Sequence, residues 1–374
     1  MLDTTDVFVV GGGPAGLAAA IAARQQGLRV VVADSAKPPI DKPCGEGLLP
    51  DAIAALTRLG VQVPAVDAFA FRGIRFLSSE LCAEAPFPSG ETGISVRRTV
   101  LHRLMADRAA GLGVNFLWQT AVMGISGEEV RLADRTSANR AFRAKWIVGA
   151  DGASSRVRRW AGLDEHTRTG FRYAYRRHYR VAPWTDRMEV YWGVRSQGYT
   201  TGVNNGQVCV ALASRDPKLR MEEALLAFPE LNARVRGAET VSSERGALTA
   251  NRMLRRVCRG NVALVGDASG TVDAIAGEGL GLSFNQATIL ANCLKSGNLS
   301  RYQLEHRRLA RRPLLMARLL LTLDGRPWLQ RRTLQVFRQQ PPLFRRLVAF
   351  HIGAIPPSHL AFDGLTLGWG LLTA

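Results

Sequence analysis

Lysine is scarce in this chain: Lys37, Lys42, Lys145, Lys218 and Lys295 are the only lysines among 49 basic residues, which leaves 44 arginines. No run of about 18 residues is both apolar and free of charge, so no membrane-spanning helix is expected. The first apolar stretch is approached through Asp3 and Asp6, without the basic start of a secretory signal. The five cysteines (Cys44, Cys82, Cys209, Cys258, Cys293) are odd in number, scattered and without C-x-x-C spacing. Neither a disulfide framework nor a metal site is therefore expected, and a reducing cytoplasm is the expected location. Aromatic residues are few (7%) and are not interleaved with the basic clusters, as stacking platforms for nucleic acid would require. The class of basic nucleic-acid-binding proteins is weighed and set last. No internal repeat, low-complexity tract, serine–histidine pair or pair of carboxylates stands out.

What is present is an enzyme-sized globular composition: 374 residues, 47% hydrophobic and 21% charged, enough for two interleaved domains with large cores. The net charge of +18 attracts anions. Much of it is local, because residues 301–346 hold 12 arginines against Glu305 and Asp324.

The apolar run Val7 to Val10 reads as a buried parallel strand and leads directly into Gly11-Gly12-Gly13-Pro14-Ala15-Gly16. Gly11, Gly13 and Gly16 fit G-x-G-x-x-G. An alanine-rich helix follows to Arg24, Gly27 takes the position after its end, and residues 29–33 form a second strand. The glycines let the backbone approach a pyrophosphate whose charge rests on N–H groups at the helix start. Asp34, 18 residues after Gly16, ends the second strand, where a carboxylate accepts hydrogen bonds from an adenosine ribose. The loop alone leaves FAD and NAD(P) both open.

Two later segments discriminate. Gly149-Ala-Asp151-Gly152, with Arg156 behind it, and Gly266-Asp267-Ala268 each follow an apolar run. With these three motifs in order, the chain over roughly residues 5–300 resembles the FAD-dependent hydroxylase and geranylgeranyl-reductase superfamily, whose fold is that of para-hydroxybenzoate hydroxylase. The resemblance implies an α/β architecture: a Rossmann-like FAD-binding domain, an interleaved β-sheet substrate domain and a helical C-terminal region. It implies that Asp267 binds on the ribitol side of FAD and that Asp151 supports the cofactor. Arg97, at a helix start, becomes the FAD-contacting arginine. Gly277-Glu278-Gly279-Leu280-Gly281 becomes the helix start beneath the flavin pyrimidine, where Gly277, Gly279, Leu280 and Gly281 would stabilise negative charge on the ring.

The family holds two chemistries. Hydroxylases carry a histidine and a proline after the Gly-Asp-Ala segment, whereas this chain has Gly270 and Ala274 there. Asp41-Lys-Pro-Cys-Gly-Glu-Gly-Leu48 resembles the Lys-Pro-Cys-Gly-x-Gly-Leu segment of geranylgeranyl reductases, bringing Cys44 and Gly45 near the flavin. Against that, the aromatic substrate motif of those reductases is missing, and Gln197 to Val203 looks more like the strand over the flavin in hydroxylases. Cys44 and Tyr199 are the catalytic candidates; Cys44 reads equally as a redox or relay thiol and as a packed apolar residue. His166, His178, His306, His351 and His359 are isolated in sequence and read as structural.

The first-ranked expectation is a monooxygenase hydroxylating a hydrophobic aromatic or polyketide-derived substrate through a flavin C4a-hydroperoxide, with NAD(P)H as electron donor. The alternative is a flavin-dependent C=C reductase of isoprenoid or other lipid-like substrates. The expected division is 1–68, 97–165 and 246–300 for the FAD domain, 69–96 and 166–245 for the substrate sheet, and 301–374 for the basic helical region. That last region alternates arginine pairs with leucine-rich groups in amphipathic helices broken at Pro313, Pro327 and Pro341-Pro342. Its polybasic character raises peripheral docking at the inner membrane face.

Overall fold

A computed structural model describes residues 3–78, 81–133, 140–360, 363, 364, 367, 368 and 371. The strand Asp3–Val10 delivers the chain into the helix Pro14–Gln25, with Pro14 in the first turn, where its missing N–H costs nothing. Gly27 closes that helix at φ +78°, and the strand Val30–Asp34 returns parallel to the first. The sheet runs Cys258–Arg259, Val262–Leu264, Arg140–Gly149, Asp3–Val10, Val30–Asp34, Asn115–Trp118. The pairings from Val262–Leu264 to Asn115–Trp118 are all parallel. The hairpin of Ala121–Ser126 and Glu129–Ala133 extends it from Arg140–Gly149. Apolar residues on both faces of these strands are buried, as a doubly covered parallel sheet requires.

The second sheet, largely antiparallel, runs Gly270–Thr271, Arg245–Leu254, His166–Tyr179, Gln207–Ser214, Ser196–Asn204, Met188–Trp192, Gly73–Leu77, Cys82–Pro86. The turn Asn204 to Gly206 joins two of its central strands. Arg245–Leu254, assigned by sequence to the FAD domain, instead pairs along most of His166–Tyr179, so the large sheet extends to the edge of the second glycine motif. Gly93–Val96 and residues 69–71, assigned to the substrate sheet, instead belong to a small separate sheet in which Gly93–Val96 lies between Gly47–Leu48 and Ala68–Phe71.

The C-terminal region packs on this scaffold as the helices Leu299–Leu323, Pro327–Gln339 and Pro341–His351. The first does not break at Pro313. Its buried face of Tyr302, His306, Pro313, Met316 and Ala317 is held against the body, and this packing outweighs the single backbone bond a proline removes. Pro327 and Pro341 do start new helices. Leu334, Phe337, Phe344 and Val348 share a core with Phe76, Met188, Val190 and Trp192 of the large sheet.

Candidate active site

The first glycine loop is built by steric necessity. A Cβ on Gly11, at φ +109°, would lie 2.4 Å from the Ala150 carbonyl oxygen, and one on Gly16 would lie 1.8 Å from the Gly11 oxygen. Around Gly13 a Cβ would meet nothing within 4 Å, so this glycine keeps open space at the helix start rather than serving the fold. Asp34 accepts hydrogen bonds from the Gly12 N–H (2.7 Å) and the Ala36 N–H (2.8 Å), which fixes its carboxylate beside that space. Pro14 and Ala15 begin the helix, and Ala15 is the neighbour that forces Gly266, where a Cβ would lie 2.5 Å from the Ala15 Cβ. The two glycine motifs thus meet side by side.

Asp267 follows at the start of a short 3-10 turn. Its side chain is exposed, yet burial by the surrounding protein raises its carboxyl pKa against the pull of Arg98, Lys42 and Arg252. Accessible yet desolvated by its surroundings, it stands at the second glycine motif. Gly279 faces open space as Gly13 does, whereas Gly281 packs on Ala52, 2.9 Å from where its Cβ would stand. Gly277 adopts φ +66° at the turn into the helix Gly279–Ser296, and Leu280 is half-buried in that helix's first turn.

The two arginines at the start of the helix Arg98–Gly111 diverge. Arg97 donates to Gln207 Oε1 (3.0 Å) in the large sheet. Arg98 is buried, its Nε has no partner, and its charge acts on Cys44, Asp267 and Glu46. A buried guanidinium with an unpaired donor suits a bound anionic or carbonyl group. Asp151 is otherwise engaged: it accepts from Ser155 Oγ and from the Arg156 and Val157 N–H groups, capping the helix Arg156–Trp160.

The loop from Asp41 to Leu48 is wedged between the two sheets. Arg176, buried on the large sheet, donates to Asp41 Oδ1 and to the Lys42 carbonyl. Glu46 sits at φ +65°, a strained position for a residue with a side chain. It is held there from both ends: Oε1 accepts from the Arg98 N–H (2.9 Å) and Oε2 from His178 Nε2 (2.6 Å). Burial lowers the His178 pKa, so it acts as the neutral Nε2–H tautomer, with Nδ1 accepting from Ser242 Oγ. Cys209 lies close enough that these three ligand atoms fall within 4.8 Å of one another. The 2.6 Å Glu46–His178 contact is a direct hydrogen bond that already satisfies the group.

Cys44 and Tyr199 come together across this loop. The Tyr199 ring lies 2.9 Å from the would-be Cβ of Gly45, and its hydroxyl oxygen 2.5 Å from that of Gly47. Burial raises the Cys44 thiol pKa and raises that of the Tyr199 phenol well above its usual value. Both therefore hold their protons at neutral pH, which makes each a proton donor and argues against a standing thiolate at Cys44. Among the described residues, Glu46, His178 and Arg98 are the members of this site that the sequence did not single out. Their one signal was Glu46 lodged between two glycines.

The open space at Gly13 and Gly279, the desolvated Asp267 and the unpartnered Arg98 Nε fit a dinucleotide laid from the first glycine loop to the helix Gly279–Ser296. That cradle on this fold defines the class: an FAD-dependent oxidoreductase. The chain belongs to the FAD binding domain family, whose model matches residues 4–299. It is 30% identical over 319 residues to the menaquinone reductase of Mycolicibacterium smegmatis, a match covering 79% of this chain and 78% of that one. It is 28% identical over 329 residues to digeranylgeranylglycerophospholipid reductase 1 of Methanothermobacter thermautotrophicus, covering 83% and 81%. Its fold matches a solved flavoprotein/dehydrogenase from Cytophaga hutchinsonii with a TM-score of 0.84 at 19% identity, covering 99% of this chain and 98% of that one.

Proposed function

We propose that this protein is a flavin-dependent reductase that saturates a carbon–carbon double bond in an isoprenoid or other lipid-like molecule, with NAD(P)H as the electron source. The observation that carries this reading is the pairing of Cys44 and Tyr199, two protonated donors set against the cleft by the Lys42–Leu48 loop. Both relatives named above are reductases, and each match spans most of the chain. This reverses the order in which hydroxylation stood first. Gly270 supports the reversal: at φ +122°, a Cβ there would lie 2.7 Å from the Arg252 carbonyl oxygen. The histidine that the hydroxylases carry at this point has no room.

FAD, when bound, supplies a hydride equivalent. The N–H groups beyond Gly13 and the start of the helix Pro14–Gln25 would hold its pyrophosphate, Asp34 its adenosine ribose and Asp267 its ribitol side, and the unpaired Arg98 Nε could donate to it. Reduction of a double bond needs a hydride on one carbon and a proton on the other. Tyr199 Oη or Cys44 Sγ supplies that proton, and the resulting anion regains one from water at the cleft mouth. Burial keeps both donors neutral until the substrate carbon calls for the proton. Glu46 and His178 fix the loop that sets the distance between them.

The test is anaerobic turnover of FAD-loaded protein with a prenylated quinone or a geranylgeranyl lipid, read by mass spectrometry. A mass gain of one hydrogen pair per double bond, slowed in Tyr199→Phe or Cys44→Ala with FAD still bound, is expected. Incorporation of labelled oxygen into product under air, with no saturation under anaerobic conditions, would overturn the proposal in favour of hydroxylation.

A further inference from the structure

The helix Leu299–Leu323 buries one face, and its other face is built unlike an ordinary solvated surface. Positions 301, 304, 307, 308, 311, 315, 318, 319 and 322 are exposed, a three-to-four-residue spacing that draws one stripe along the whole helix. At ~1.5 Å per residue the stripe is roughly 37 Å long. Arg301, Arg307, Arg308, Arg311 and Arg318 lie along it. Between them stand Leu304 (50% exposed), Leu315 (45%) and Leu319 (48%), and just beyond the helix end Trp328 is 62% exposed. Of the acids nearby, Glu305 pairs with Arg308 and offsets one arginine of the stripe, whereas Asp324 pairs with Arg172 of the large sheet and with Arg215.

The stripe continues onto the large sheet. Arg318 Nη2 contacts Met253 Sδ (3.7 Å), and Met253 is itself exposed. Leu321 lies against Gly170, and the neighbouring Phe171, also exposed, carries Arg168 over its ring at 4.4 Å. Two elements far apart in sequence therefore present one surface of arginine mixed with leucine, methionine and phenylalanine. Apolar side chains this exposed cost free energy in water, and arginines this dense repel one another; a surface that is both apolar and anionic removes both costs. Tryptophan and arginine are the side chains suited to the boundary between lipid headgroups and acyl chains. Among the described residues no helix is long and apolar enough to cross a bilayer, so contact on this face would be superficial.

We infer that the outer face of Leu299–Leu323, with Trp328, Met253 and Phe171, docks the protein on the surface of an anionic lipid bilayer. This does not depend on the proposed reaction, because it is read from binding and not from turnover.

The experiment uses the FAD-loaded full chain and sedimentation with phosphatidylglycerol-containing vesicles or with phosphatidylcholine vesicles alone. Binding is expected to the anionic vesicles at low salt and to weaken as salt rises. Arg311→Glu with Arg318→Glu is expected to lower partitioning roughly tenfold or more, and Trp328→Ala to weaken it at unchanged charge. The milder Arg311→Gln with Arg318→Gln gives the same direction should charge reversal disturb folding. The control, Arg143→Glu with Arg236→Glu, makes the same charge change on other surfaces and is expected to have little effect. Equal losses in the control and the face variant would overturn the inference, since attraction would then be to net charge alone. So would absence of anionic-vesicle binding at low salt, or concentration-dependent self-association abolished by the face substitutions, which would assign the face to a second copy of the chain.

Discussion

Glu278 offers a test of how the C-terminal helices meet the cofactor cradle. It stands at the N-cap position of the helix Gly279–Ser296, without a side-chain hydrogen bond to that helix, and is almost completely buried. Arg312, from the long C-terminal helix, approaches its Oε1 at 3.0 Å, and His351 Nδ1 stands 3.6 Å from its Oε2. Arg312 also donates to Asp51, whose own charge opposes ionisation of Glu278. Burial dominates and pushes the Glu278 carboxyl from its usual 4.5 up to about 8. The acid is therefore neutral at physiological pH, which keeps negative charge away from a helix start meant to hold an anion.

A folded-state pKa above the unfolded value means that the native state holds its proton more tightly. The stability from Glu278 is complete below about pH 4.5 and drains away as pH rises through about 8. The shift corresponds to about 5 kcal/mol across that window, with little solvent screening because the side chain is only 3% exposed. Glu278→Gln keeps the shape and cannot ionise. Denaturant unfolding of both proteins from pH 5 to pH 9.5 should give curves that diverge as pH rises, with the glutamine variant more stable by several kcal/mol at the alkaline end. Groups common to both proteins cancel in the difference. Parallel curves would refute the reasoning and place Glu278 as an ionised partner of Arg312 at all pH values.

The cradle was legible because its determinants are local. A strand, three glycines, an alanine-rich helix and an acid lie within residues 7–34, and two of the glycines, Gly11 and Gly16, are demanded by a backbone atom nearby. What was not legible depends on contacts between distant segments. Glu46 and His178 lie 132 positions apart and meet only when the large sheet folds over the loop. The different surroundings of Arg97, bonded to Gln207, and of buried Arg98 turn on about 100° of rotation around a helix start, which neighbouring arginines in a sequence cannot reveal. Pro313 was read by its local rule, but the buried face around it decides. The strand Arg245–Leu254 was missed because its apolar residues alternate poorly and its partner, His166–Tyr179, lies far upstream.

Gly13→Leu should yield folded protein without FAD, since the added side chain meets only the open space of the cradle; normal circular dichroism and absent flavin absorbance check it. Arg98→Met should weaken FAD binding by isothermal titration at least several-fold more than Arg97→Met, whose partner is Gln207. Phe344→Ala should cost about 3–4 kcal/mol in denaturant unfolding, because its ring stacks on Phe337 at 4.3 Å within the core joining the tail to the large sheet. The acid side of the stability curve rests on buried histidines. His306 lies 2.8 Å from Ser269 Oγ and accepts from Gln286, which in turn holds the Gly266 N–H of the second glycine motif. Burial lowers its pKa from 6.5 to about 4, so the unfolded chain takes up the proton first. Its contribution is whole above about pH 6.5 and is lost as pH falls through about 4, roughly 3 kcal/mol in all. His306→Gln, which retains a hydrogen-bonding side chain but no titration, should flatten the loss between pH 6.5 and 4 while leaving the alkaline limb unchanged. His351 is lowered to about 4 by the same cause, so the single variant removes only part of the acid sensitivity and the double variant with His351→Gln removes more. An acid limb unmoved by both substitutions would mean that these imidazoles become protonated without unfolding, and the tail would not be the element that ties acid stability to the second glycine motif.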